Sequence, residues 1–465
     1  MGSSIFDSVL YRDAFSTPGM RSIFSDETLI ANFVRAEVAL AVAQGNVGVI
    51  PKAAAEAIAA RAPSLAVDRD LLRAETENVG YPILGLVRQL STSLDEAGKY
   101  LHWGATTQDI MDTATVLQIK DGLESIEEDL AGTIAELARL AETYRDTPMP
   151  GRTHLQQALP ITFGHKAAIW LSSLLRCRNR LAEVKPRVLV AQLGGAVGTL
   201  ASFGDRGLDV RRAYAQALGL LEPDISWHVA RDGFVEVVQV LAVLCGALGK
   251  IGYDVMILMA TEIGEVFEPF ASHRGASSTM PQKRNPISSE ILLANAKIAR
   301  DASALMLDAM VQDLERATGP WHVEWNALPQ TFMLASGSLA QAKFMLAGLV
   351  VDTARMRANL AGSRGLIVAE AVMMGLAPIL GRQASHDLVY DACRAAIGQD
   401  IALADALWRI AAVREAIDRH RLDSLCEPGN YLGTAPLMVD RVLEHVPRPL
   451  ARRSPTQTEG NVDAA

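Results

Sequence analysis

Residues 237–260 read VVQVLAVLCGALGKIGYDVMILMA, the most apolar run in the chain. Its length would suit a bilayer crossing, but Gln239, Lys250 and Asp254 interrupt it, so it fails as a membrane span and no membrane partner is expected. A run that is apolar all round, yet carries a few polar residues, describes a helix enclosed by other helices. Apolar residues recur at helical spacing on either side, through 27–44, 114–144, 163–184, 233–262, 287–311 and 328–349. Several of these segments exceed ordinary globular helix length, the pattern of a bundle of rods, often one shared between subunits. Strand-like alternation is scarce, and the exception is 187–195, a short apolar run expected to be extended as it enters a glycine-rich turn. Gly194, Gly195 and Gly198 imitate a dinucleotide fingerprint, but no strand–helix–strand context surrounds them and the turn reads as structural.

Composition narrows the class further. At 465 residues two or three domains are expected, and 49% apolar, 21% charged and only 5% aromatic residues describe cores of Ala, Leu, Val, Ile and Met. A net charge of −9 argues against a nucleic-acid partner, while a small anionic substrate remains compatible because local cations decide that. Cys177, Cys245, Cys393 and Cys426 are far apart, so neither a disulfide framework nor a metal site is indicated. No nucleotide loop or ligand cluster implies a cofactor. Residues 1–20 contain Asp7, Arg12 and Asp13 and no sustained apolar run, so no signal peptide is read and the expected location is the cytoplasm.

Three segments between the long helices read as loops rich in chemical groups: 102–113 (HWGATTQDIMDT), 151–164 (GRTHLQQALPITFG) and 275–286 (GASSTMPQKRNP). The third packs hydroxyls, Lys283, Arg284 and Asn285 into a small-residue loop before a helix. Asn285 followed by Pro286 suits an N-cap and first helical residue, which would aim the helix's positive end and its free amides at an anion beside Lys283 and Arg284. Alone, this would be a basic surface turn.

In this order and spacing the three segments resemble the fumarase/aspartase superfamily, which includes adenylosuccinate lyase, argininosuccinate lyase and 3-carboxymuconate cycloisomerase. The resemblance runs over about 6–443, and the third motif follows the pattern GSSxMPxKxNP with Ala276 in place of a glycine. It implies an all-α fold with a central five-helix bundle, forming a 20-helix core in a homotetramer whose active sites each draw the three segments from three chains. The implied domains are 1–112, 113–365 with a catalytic loop at 272–286, and 366–446, followed by a tail at 447–465 expected to be disordered.

The family's chemistry removes a proton beside a carboxylate, and the resulting doubly charged aci-carboxylate needs preorganised donors and cations. By resemblance, Ser277 is the general base, His154 the general acid that protonates the leaving group, and Glu290 the carboxylate that orients His154. Lys283, Asn285, Thr106 and Thr107 match the carboxylate clamp, with Thr153, Gln156, Ser278, Met280 and Arg284 beside them and His102, Asn78 and Trp325 as further substrate contacts. A hydroxyl is a poor base unless its alkoxide is stabilised, which the helix end and Lys283 are expected to supply. His165, His228 and His322 lack comparable support.

The departures narrow the branch. Adenylosuccinate lyases use an Arg-Tyr pair against a nucleotide phosphate where this chain has Ala14-Phe15, and an arginine where it has Trp325. A nucleotide substrate is therefore not expected. Trp321, Trp325, the Asn78 segment and 365–370 (GLIVAE) resemble the 3-carboxymuconate cycloisomerase branch more closely. His154 points the other way, because a lactone's carboxylate leaving group needs little protonation whereas an amine needs a proton. The favoured expectation is C–N elimination from a nitrogen-substituted succinate, a small di- or tricarboxylate, releasing fumarate; the alternative is cycloisomerisation. A catalytically silent relative fits an intact Ser277, Lys283, Asn285 and His154 set least well.

Overall fold

A computed structural model describes residues 4–270 and 274–447, so the tail from 448 onward lies outside the described residues. The protein is all-α, and among the described residues strands form only two short antiparallel pairs. The chain groups into two compact units, one of residues up to Glu136 plus Arg176–Asn359, the other of Leu137–Leu175 and the residues from Leu360 onward.

The first unit is built around the run quoted above. It lies in the Asp232–Met259 helix, which packs against the Ile287–Ala309 and Pro320–Ala347 helices. By length and composition this helix could cross a membrane, but Val237, Val238, Leu241, Leu244, Leu248 and Val255 are completely buried in the bundle. Each such side chain contributes about 1.5–3 kcal/mol of apolar burial. The interrupting polar residues find partners: Gln239 donates to the Ser303 carbonyl at 2.8 Å, and Lys250 pairs with Asp254 one turn away at 2.5 Å. Gly249 allows the close approach, since a Cβ there would meet the Ala296 Cβ at 2.7 Å; any larger residue would push the helices apart. The Thr107–Thr143 helix runs beside the Pro320–Ala347 helix, with Gly122 against Phe332 and Lys343 reaching Asp129.

The Pro320–Ala347 helix starts eight residues before the expected 328, because Pro320 is a favourable first helical residue and Pro329 is tolerated inside. The expected extended segment at 187–195 is a partial correction: the Phe163–Val188 helix continues to Val188, and Val190 alone bridges to Leu221.

In the second unit Pro148–Thr153 and Gln156–Thr162 form an antiparallel hairpin, correcting the expected loop at 151–164. The Phe163 N–H donates to the Thr147 carbonyl at its base, and Arg145 makes paired 2.7 Å bonds to Asp440 of the Ala435–Leu443 helix. The C-terminal helices enclose their own core, with Val372, Leu376, Leu403, Leu407, Val413 and Leu422 fully buried.

Candidate active site

The 275–286 loop is closed at its neck. Gly275 has φ +70°, and a Cβ on it would meet the Asn285 carbonyl at 2.6 Å, so only glycine fits. The Asn285 N–H donates to the Gly275 carbonyl at 2.9 Å, and Ala276 bridges Arg284. Within the loop the Ser277 hydroxyl oxygen accepts the N–H groups of Met280 at 3.1 Å and Thr279 at 3.3 Å. Donors aimed at that oxygen favour its deprotonated form, which a serine acting as base requires. Ser278, Met280 and Lys283 are exposed, and Arg284 lies over the Phe270 ring at 4.7 Å. Met280, Lys283, Arg284 and Asn285 line a cleft of about 860 Å³.

The helix after this loop corrects one expectation. Its N-cap is Pro286, with no side-chain cap from Asn285. The Glu268 carboxylate instead accepts the Ser288 N–H at 3.2 Å, the Ser289 N–H at 2.8 Å and the Ser289 hydroxyl at 2.7 Å. A carboxylate outcompetes a neutral amide at a positive helix end. The positive helix end is thus already engaged by Glu268, which leaves Lys283, Arg284 and Asn285 as the loop's candidate anion-binding groups.

Thr106 and Thr107 stand where the Thr107–Thr143 helix begins, so half of the expected 102–113 loop is helical. The start is fixed by Asp109: the Thr106 N–H donates to its carboxylate at 2.9 Å, and the Asp109 N–H donates to the Thr106 carbonyl. Asp109 is completely buried and also accepts from the Gly194 N–H at 2.8 Å, the Gly195 N–H at 2.9 Å and His228 Nε2 at 2.8 Å. That explains the glycine-rich turn as a support for the helix start, and it gives His228 a structural role. Among the described residues the Thr106 and Thr107 hydroxyls take no hydrogen bond, which leaves them available to a substrate.

His102, four residues earlier, has φ +56° and places Nδ1 at 2.6 Å from the fully buried Glu37. Burial opposes a charged imidazole, but the Glu37 carboxylate outweighs it, and the His102 pKa is raised above its ordinary value. Glu37 is a partner the sequence did not reveal, 65 positions away.

His154 sits with Leu155 at the tip of the hairpin in the second unit. Thr153 pairs with Gln156, and the two residues between have φ +51° and +61°, a type I′ turn that Asn-Gly usually fills. Non-glycine residues held there cost about 1–3 kcal/mol each and mark functional sites when the surroundings enforce them. Thr153, His154 and Gln156 are all exposed, and Leu155 is 70% exposed. Glu290, in the first turn of the Ile287–Ala309 helix of the first unit, is exposed and makes no ion pair among the described residues.

Trp325 belongs to an aromatic cluster in the first unit, 5.3 Å from Trp321, 4.4 Å from His322 and 6.1 Å from Tyr81 between ring centres. Asn78, in the last turn of the Arg69–Val79 helix, is exposed and does not line the cavity beside that cluster. Below the cluster lies a buried triad missed in the sequence: Arg231 is 1% exposed and binds Asp112 at 2.7 and 3.0 Å and Glu324 at 2.5 and 2.9 Å.

A family model described as Lyase matches residues 12–299, more than half the chain, and one described as Adenylosuccinate lyase C-terminus matches 365–442. The solved structure of a fumarate lyase from Mesorhizobium sp. BNC1 is 53% identical with a TM-score of 0.88, covering 92% of this chain and 98% of that one. Trans-aconitate decarboxylase 1 of Mycosarcoma maydis is 46% identical over 93% of this chain and 88% of its own length. The 3-carboxy-cis,cis-muconate cycloisomerase of Acinetobacter baylyi is 43% identical over 94% and 98%, and the N-acetyl-S-(2-succino)cysteine lyase of Dickeya dadantii 38% over 96% and 98%. With the Ser277 loop, the threonine pair and the helical bundle all in place, the chain belongs to the fumarase/aspartase superfamily of lyases.

Proposed function

We propose that this protein catalyses reversible β-elimination from a nitrogen-substituted succinate, releasing an amine and fumarate. Thr106, Thr107, Lys283 and Asn285 hold the substrate carboxylate and the charge that develops on it. Ser277, supported by two N–H donors, removes the proton from the adjacent carbon. His154 delivers a proton to the departing nitrogen, and Glu290 orients it. The observation that carries this reading is His154, a titratable imidazole displayed at a strained, exposed tip where a glycine-containing turn would be easier to build. Its similarity to a fumarate lyase at 53% identity and to a lyase named for a succinyl-cysteine supports a heteroatom leaving group. In this reading the hairpin tip meets the Ser277 loop and the Thr106 corner of other chains in a homotetramer, without a nucleotide or a cofactor, in the cytoplasm.

Cycloisomerisation is the second reading, supported by cycloisomerases at 40–44% identity. The two readings differ over His154. Purified protein is incubated with fumarate and amines, or with 3-carboxymuconate, and followed by ultraviolet absorbance. In the amine reaction His154→Ala is expected to lower turnover about 10²–10⁴-fold. Loss of muconate absorbance without any fumarate adduct, and with little effect of His154→Ala, would replace elimination by cycloisomerisation.

A further inference from the structure

The first unit holds a cavity of about 330 Å³ that the chemistry above does not use. One helical face supplies much of it: Trp321, Glu324, Trp325 and Leu328 stand at i, i+3, i+4 and i+7 on the Pro320–Ala347 helix. The Thr107–Thr143 helix also contributes, beginning with Met111, one turn beyond Thr107 on the same face and about 6 Å along its axis. A substituent two to four atoms long, on a succinate held by Thr107, would reach it.

Two features of the wall define what it accepts. The chain is poor in aromatics, yet two of its six tryptophans line this cavity with Phe24, Phe33 and Phe234. Its charged lining consists of Asp26, Asp112 and Glu324, with no lysine or arginine. Asp112 and Glu324 share the single guanidinium of Arg231, two carboxylates to one cation, so the triad is one positive charge short when both are ionised. A buried unbalanced charge is costly. Burial, with the Asp112 carboxylate adding a smaller push, raises the Glu324 carboxyl pKa above its ordinary value despite the pull of Arg231. Asp26 is exposed and Trp325 is 41% exposed, so both are accessible from solvent.

We propose that this cavity is the subsite for the part of the substrate that leaves with nitrogen, and that it takes a cationic tail, an ammonium or quaternary ammonium, in preference to a neutral or anionic one. The assignment rests on the C–N elimination reading for its place in the reaction, but not for its ligand chemistry. Tryptophan faces attract cations most strongly among aromatic rings, and a cation beside Glu324 supplies the charge that the triad lacks. A carboxylate tail would face three acidic groups, with Arg231 outside the lining and already shared by two of them.

Two measurements test it. Calorimetric titration with choline and with its neutral isostere 3,3-dimethyl-1-butanol is expected to show choline binding at least tenfold tighter, with the difference lost in Trp325→Ala and reduced in Glu324→Gln. Fumarate release from N-(3-aminopropyl)aspartate, N-propylaspartate and N-(2-carboxyethyl)aspartate is expected to fall in that order in kcat/KM, at least tenfold from first to last. If choline is preferred but none of the aspartates is cleaved, the subsite stands and the elimination reading falls. Equal binding of the isosteres, or cleavage of the carboxyethyl compound as fast as the aminopropyl one, overturns the subsite. Trp325 is partly exposed, so its replacement tests the cavity without emptying the core.

Discussion

The Thr106–Thr107 corner and the 275–286 loop are assigned the same carboxylate under the proposed reaction, yet they are held in opposite ways. The corner is fixed from beneath by Asp109, a buried carboxylate that gathers N–H groups from Thr106, Gly194 and Gly195 and the His228 imidazole. The loop is closed at its neck by its own backbone, and its Ser277 bonds stay inside it. One region is a template built into the core, the other a loop that organises itself. Substitutions beneath the first should therefore register as stability, and substitutions in the second as rate.

The largest expected effect is at Ser277. Ser277→Ala should lower turnover about 10³–10⁴-fold while the thermal midpoint moves by no more than about 2 °C, because the side chain only organises its own loop. A marked drop in the midpoint would show that the loop supports the fold and would break the contrast. Asp109→Ala is expected to cost about 3–5 kcal/mol in denaturant unfolding, since His228 and two glycine amides lose a buried acceptor together. A cost below about 1 kcal/mol would mean that the corner is held by something else.

The Glu37–His102 pair sharpens the picture through pH. His102 binds its proton more tightly in the fold than in the unfolded chain, so the stability it contributes is complete below the ordinary value of 6.5 and is lost as pH rises through the raised folded value. Glu37→Gln should lower stability near pH 5.5 and do so progressively less at alkaline pH, read from unfolding at a series of pH values. A difference that does not change with pH would remove the charge pair from the account. The smallest effect is expected at Glu268→Gln, about 0.5–1 kcal/mol of stability from the lost charge at the helix end, with turnover within about threefold of wild type. A larger loss of turnover would tie the cap to the loop's chemistry.

What the sequence made legible follows from distance along the chain. The long helices announced themselves through periodicity, since each is specified by neighbours three and four residues apart. Their ends were less legible, because Pro320 and the Thr106–Asp109 contact act in single turns that periodicity averages over. The hairpin at Pro148–Thr153 escaped because His154-Leu155 occupies a turn whose usual signature is Asn-Gly. The site's chemical groups were recognisable because they cluster in three short segments. Their supports were not: Glu37 meets His102 across 65 positions, Arg231 meets Asp112 across 119 and Glu324 across 93, and such pairings exist only once the helices have packed.

The Asp232–Met259 helix has a consequence for how the protein is made. Its bundle partners end at Ala347, so roughly 90 residues must be synthesised after it before its faces can be covered. At translation rates of about 5–20 residues per second it waits roughly 5–20 s with the faces that the later helices cover still open, an apolar rod of the kind a membrane-insertion machine accepts. Ribosome-bound chains stopped at residue 310 are expected to be held by chaperones or to aggregate, and chains released after residue 347 to do so far less. Equal behaviour of the two lengths in a pelleting assay would show that the Asp232–Met259 helix is shielded without its partners. The helix that organises the finished bundle is thus also expected to be vulnerable during synthesis, and a synonymous codon change that slows translation between 260 and 347 should lower the soluble yield without altering the protein.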